Sequence, residues 1–135
     1  MTVKRLETAE EMAGLLAVKD DIEEYQPCTH SEWVQWLVSQ ADNPKVAVWA
    51  NFEENRIDSY IVVFDLVNLP LSDYLFISYA FSVLGEEQNS EVLQRVKEWA
   101  KSLGVKRITA TTKLAEELMK YGFVKIADVV ELKVE

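Results

Sequence analysis

A chain of 135 residues is the size of one domain and long enough to bury a core without disulfides or a structural metal. With 49% of its residues apolar and 27% charged it has the make-up of a globular protein, which excludes a disordered one. The net charge of −9 opposes nucleic-acid binding, which needs lysine and arginine to displace phosphate counterions, and a lone cysteine and a lone histidine leave neither an intrachain disulfide nor a Cys/His metal set.

Val3 to Leu6 is patterned as a short first strand. Thr8-x-x-Glu11 is a capping-box pattern, and Met12, Leu15, Leu16 and Ile22 follow at roughly helical spacing, which predicts a first helix. The acidic stretch Asp20, Asp21, Glu23 and Glu24 comes next and Pro27 breaks the chain. It reads as a solvated helix end, with an acidic rim steering a cationic amine as the functional alternative. Thr29-x-x-Glu32 or Ser31 caps a second helix, with Trp33, Trp36 and Leu37 on its buried face and Asn43-Pro44 at its end. His30 reads as a surface or capping residue and Cys28 as a small inert one.

Lys45 to Asn51 alternates as a strand, with Val46, Val48 and Ala50 on one face, and the polar Glu53 to Arg56 suits a hairpin turn. Ile57 to Leu66 is a long β-rich run, and Asn68 to Asp73 a loop. Tyr74 to Val83 is the next strand, with Leu75, Ile77, Tyr79, Phe81 and Val83 as one face and the small Ser78, Ala80 and Ser82 on the other. Apolar character on both faces predicts a central strand covered on both sides. Ser90 caps the clearest helix, in which Val92, Leu93, Val96, Trp99, Ala100 and Leu103 keep helical spacing up to Gly104. Val105 to Thr111 is a strand, Leu114 to Met119 a short fourth helix ending at Gly122, and Phe123 to Val134 a last strand with Lys125, Glu131 and Lys133 on its wet face. This order predicts an α/β (α+β) fold, a mixed sheet of about six strands with four helices on both faces. No linker interrupts it, so residues 1–135 are read as one domain. With no apolar leader and no bilayer-length apolar run, a cytoplasmic location without a membrane partner is expected.

The same order resembles the GNAT superfamily of acyl-CoA N-acyltransferases. The ending Lys120-Tyr121-Gly122-Phe123 before a strand is similar to that family's Gly-Phe turn, and Val105-Lys106-Arg107-Ile108 after a glycine-ended helix also fits. The resemblance implies acetyl-CoA or another acyl-CoA as cofactor and an amine as acceptor. It implies backbone contacts to the pantetheine arm from Phe81, Ser82 and Val83, and a pyrophosphate at the following loop and helix start, where Gln88, Asn89 and Ser90 stand. No metal is expected, since no Cys/His ligand set exists and the acidic stretch has no metal-site spacing signature.

The loop departs from the family's Arg/Gln-x-x-Gly-x-Gly/Ala pattern. Residues 84–91 read Leu-Gly-Glu-Glu-Gln-Asn-Ser-Glu, so glycines that would let the backbone approach a phosphate are missing. Glu86, Glu87 and Glu91 repel it, although acids also suit a first helical turn. Leu118 stands where many members carry a tyrosine general acid, and Tyr121 is displaced round the helix from that place. Glu86, Asp73 and His30 are the candidate bases. The alternative is a noncatalytic GNAT-like module binding a protein partner or another ligand, and a homodimer through the Trp33 helix or the last strand is a third reading. Charge is uneven: residues 1–67 hold 5 basic and 13 acidic side chains, residues 68–135 hold 9 and 10, so a cationic ligand suits the first half and an anionic one the second.

Overall fold

The computed structural model describes residues 2–65, 74–82, 86–110, 118–126 and 130–134. Its strands are β1 (Thr2–Leu6), β2 (Val46–Glu53), β3 (Arg56–Asp65), β4 (Tyr74–Ser82) and β5 (Arg107–Ala110). Its helices are α1 (Ala9–Ala13), α2 (Ile22–Tyr25), α3 (His30–Ser39) and α4 (Glu86–Ser102), with a 3₁₀ turn at Gly14–Ala17. The strands lie in the order β1-β2-β3-β4-β5, antiparallel up to β4, and β5 is parallel to β4. The α4 crossover makes that parallel pair, as a parallel neighbour requires.

Local chemistry fixes the element ends. Both predicted capping boxes form: Glu11 N–H donates to Thr8 Oγ1 at 3.1 Å and Glu32 N–H to Thr29 Oγ1 at 3.1 Å. Each glutamate in turn accepts from the capping residue's own N–H. The β2–β3 hairpin turns on Glu54 and Asn55, both with positive φ (50° and 69°), the conformation that matches the twist of the two strands. Gly104 (φ 72°) ends α4: its N–H reaches Lys101 O and that of Val105 reaches Ala100 O, at 3.1 and 2.9 Å. Gly122 (φ 93°) closes the helical turn at Leu118–Met119 with the same bond pattern.

The sheet has two covered faces. Val46, Val48, Ala50, Tyr60, Val62 and Tyr79 meet Leu6, Met12, Leu15, Ile22, Trp33, Val34 and Leu37 beneath α1–α3. Ala47, Trp49, Ile61, Val63, Leu75 and Ile77 meet Val92, Val96 and Ala100 of α4.

Four expectations change. The predicted first helix is three short pieces, and Leu16 is exposed between them. Trp36 is partly exposed, stacked on buried Trp33 with ring centroids 5.5 Å apart. α4 already includes Glu86, four residues before the expected cap at Ser90. No strand forms over residues 123–126 or 130–134, so the described sheet has five strands and not six; Val124, Ile126, Val130, Leu132 and Val134 all face water there. Most of the predicted fourth helix and the loop at 68–73 lie outside the described residues.

Candidate functional site

The site begins at an irregularity in β4. Val62 pairs with Tyr79, but the next residue of β3, Val63, pairs with Ile77. Ser78 is therefore an extra residue, a β-bulge, and a bulge re-aims the side chains around it. Leu75 and Ile77 point toward α4, whereas Tyr79 joins the core under α1–α3. The odd positions of this strand do not share one face as their alternation predicts, because the bulge resets the period of two.

On its other edge β4 pairs with β5. Pairing with β5 runs from Tyr74↔Arg107 to Ile77↔Ala110, while β4 continues to Ser82. From Ser78 onward, one edge of β4 has no strand beside it among the described residues. Such an edge offers backbone N–H and C=O groups to an extended amide-bearing ligand, as it would to an added strand.

Under α1–α3 the bulge delivers Tyr79 into a polar network. Tyr79 OH donates to Asp21 Oδ1, and Tyr60 OH donates to Asp20 Oδ2. Trp33 Nε1 donates to Tyr60 OH at 3.1 Å. His30 Nδ1 lies 3.1 Å from Asp20 Oδ1, and its Nε2 3.1 Å from the carbonyl of Leu15. Ile22 N–H also reaches Asp20 Oδ1, at 3.2 Å. The Asp20 side chain is fully buried, so the acidic stretch is not simply a solvated helix end: two of its four carboxylates hold tyrosine hydroxyls. Burial, then the aspartate partners, push both phenols well above their ordinary range. His30, expected at the surface, ties the 3₁₀ turn to the acidic stretch. Burial, followed by nearby Glu32, Glu23 and Asp20, raises the Cys28 thiol and keeps it from acting as a thiolate.

A second irregularity supplies another carboxylate. Asn51 pairs with Ser59 and Phe52 with Ile57, which leaves Asp58 as the extra residue of β3. Asp58 is buried, with Oδ1 at 3.3 Å from the Nε of exposed Arg56, while Oδ2 is buried without a hydrogen-bond partner among the described residues. A buried carboxylate oxygen left unsatisfied is costly and marks a site with an unmet partner. Since Ser59 pairs with Ser82, Asp58 stands beside the end of β4.

Phe81 and Ser82 are the last two residues of β4, and Val83 lies outside the described residues. Gln88 is in the first turn of α4, where amides lack helical partners, while Asn89 and Ser90 follow in the ladder. Asn89 Nδ2 donates to Tyr121 OH at 3.3 Å, which brings the tyrosine of the Gly-Phe turn to the start of α4. Of the three candidate bases, His30 is engaged with Asp20 and Leu15, Asp73 lies outside the described residues, and Glu86 begins α4. Asp58, Tyr60 and Tyr79 escaped the sequence reading. One signal was present: an acid two residues into an otherwise apolar β-run. No cluster of three or more metal-ligating side chains occurs among the described residues, and no helix among them is long and apolar enough to cross a membrane.

Five strands in one mixed sheet, helices on both faces and a bulge in the central strand β4 define an α+β architecture. The fold is shared with solved acetyltransferase structures. An aminoglycoside N-acetyltransferase AAC(6')-Iy in complex with CoA superposes with a TM-score of 0.73 at 12% identity, over 98% of this chain and 93% of that one. The 6'-N-acetyltransferase AAC(6')-IG from Acinetobacter haemolyticus gives 0.72 at 12% identity, over 100% and 99%. An aminoglycoside acetyltransferase from an uncultured soil metagenomic sample, in complex with sisomicin, gives 0.70 at 12% identity, over 99% and 95%. No family model and no curated protein matches the sequence.

Proposed function

We propose that this protein is an acyl-CoA-dependent N-acyltransferase acting on a cationic amine. The observation that carries this reading is a fold shared over nearly the whole chain with solved acetyltransferases, with a bulge at Ser78 of its central strand. The β4 edge from Ser78 to Ser82 fits a pantetheine arm, and the first turn of α4 meets its pyrophosphate through backbone amides. Acyl-CoA, when bound, supplies an activated thioester. The acidic first half draws the amine in, Asp21 and Tyr79 hold it, and the unsatisfied Oδ2 of Asp58 takes the proton that an ammonium must lose before attack. The aminoglycosides named with the neighbouring structures are one class of such amines.

The opening of α4 at Glu86 and Glu87 favours a second reading, a noncatalytic module for a protein partner or another ligand, because both acids oppose a pyrophosphate. Calorimetric titration with acetyl-CoA and CoA at low and moderate salt separates the two. Micromolar binding that weakens with salt supports the enzyme; absence of heat at millimolar ligand overturns it. With acetyl-CoA and a panel of polyamines and aminoglycosides, Asp58→Asn should lower turnover by about 10²-fold while leaving acetyl-CoA binding intact. Unchanged turnover would remove Asp58 from the reaction.

A further inference from the structure

A cleft of about 360 Å³ opens between two walls, one built by β1, α1 and the 3₁₀ turn and the other by the β2–β3 hairpin. Its volume falls in the range that small-molecule sites occupy, about 300–1,000 Å³. Among its described lining residues none comes from β4 or α4, so it is separate from the strand and helix on which acyl-CoA is placed. Leu6, Val18, Phe52 and Ile57 give it an apolar lining. Charged residues of both signs line it too, Lys4 and Arg56 with Glu10 and Glu11.

Two of those four charges satisfy each other, with Lys4 Nζ at 2.5 Å from Glu11 Oε2. The other two do not. Glu10 makes no ion pair and no side-chain hydrogen bond among the described residues. Arg56 turns only its Nε to Asp58, at 3.3 Å, so the two terminal nitrogens of its guanidinium have no partner among them. A guanidinium with those nitrogens open presents the fork that pairs a carboxylate. The cleft therefore holds one carboxylate for an ammonium, from α1, and one fork for a carboxylate, from the hairpin. An anion alone leaves Glu10 unmatched and a cation alone leaves Arg56 unmatched, whereas a zwitterion answers both. Gly14 keeps the space open. Its angles (φ −59°, ψ −22°) are ordinary helical ones that any residue adopts, and a Cβ there would meet only Ile57 Cδ1, at 4.0 Å. The backbone does not call for glycine at this place; the missing side chain leaves room in the cleft.

We infer that this cleft binds a zwitterion with an apolar side chain, a free amino acid of the leucine type or a dipeptide. Its ammonium would lie at Glu10, its carboxylate at Arg56 and its side chain on Leu6, Val18, Phe52 and Ile57. Calorimetric titration of the full chain without acyl-CoA tests this apart from any acyl transfer. L-leucine and the dipeptide Leu-Leu are the probes, and the tighter of the two identifies the source as free amino acid or peptide. Isocaproate lacks the ammonium, isopentylamine the carboxylate and free glycine the apolar group; each should bind about tenfold or more weakly than leucine. Gly14→Leu fills the cleft and should weaken the better probe by more than about tenfold. Glu10→Gln should weaken it by about tenfold, and because Glu10 is exposed the fold of that variant is kept. No heat with either probe at about 20 mM, a control that binds as tightly as leucine, or binding that survives either substitution would each overturn the inference.

Discussion

The two faces of the sheet are covered by different chemistry. Beneath α4 the contact is apolar, Val92, Val96 and Ala100 on Ala47, Ile61 and Ile77, with Arg5 reaching over Trp49 and Trp99 at 5.6 and 5.2 Å from the ring centroids. Beneath α1–α3 the core is crossed by a hydrogen-bonded chain from His30 through Asp20 to Tyr60 and Trp33, with Asp21 and Tyr79 beside it. One 17-residue helix covers its face through helical periodicity alone. Three short helices and a 3₁₀ turn cannot, since none is long enough to be stable by itself; side-chain bonds that tie separate turns together replace length. The polar face is also the one on which the proposed amine would bind, so its scaffolding and its site share residues.

The sharpest way to break this comparison is Asp20→Ala. It removes the carboxylate that Tyr60 OH and His30 Nδ1 share, and removing one member of a buried charged network costs about 3–5 kcal/mol. Val96→Ala on the apolar face deletes two buried methyl groups and should cost about 2 kcal/mol. Urea unfolding of both variants makes the check; an Asp20→Ala penalty no greater than that of Val96→Ala would mean the network holds nothing together. Next comes alkali. Tyr60 and Tyr79 have folded pKa values raised above the unfolded value near 10, so their contribution is complete below pH 10 and is lost as pH rises beyond it. The loss is about 1.4 kcal/mol per tyrosine per pH unit. Tyr60→Phe should halve that slope in a series of urea midpoints from pH 9 to 11. The smallest effect lies at the rim, where the Lys4 ion pair and the Glu7 and Thr8 amides hold Glu11 down from 4.5 to about 2. Its stabilisation is present above pH 4.5 and lost as pH falls toward 2. Lys4→Ala should cost about 0.2–1 kcal/mol at pH 7, and thermal melts at pH 7 and pH 2 should show the difference shrinking in acid.

What could be read ahead of the structure followed local rules. Thr8, Thr29, Gly104 and the Glu54-Asn55 turn announce their elements because capping and turn chemistry involve neighbours in the chain. The buried rows of β2 and α4 were legible for the same reason: each keeps one period throughout. Asp20 and His30 were read as surface because their partners, Tyr60 and Leu15, are 40 and 15 residues away. Asp58 and Ser78 were missed because a bulge exists only in relation to a neighbouring strand. Trp36 kept helical spacing yet stayed partly exposed, because α3 is wide enough to cover the sheet with Trp33 and Leu37 and leaves the next ring at its border.

The bulge at Ser78 gives β4 a property akin to a reading frame. Residues before it and after it are counted in opposite parity, with Leu75 and Ile77 inward on one side of the sheet and Tyr79 inward on the other. Deleting the extra residue would leave Ile77 and Tyr79 adjacent, opposite Val63 and Val62, and still on opposite sides of the sheet; what would turn Tyr79 away from Asp21 and into the apolar layer under α4 is pairing Ser78 as an ordinary strand residue. The side on which Tyr79 falls is therefore set by the unpaired place of residue 78 in the strand and not by the serine side chain.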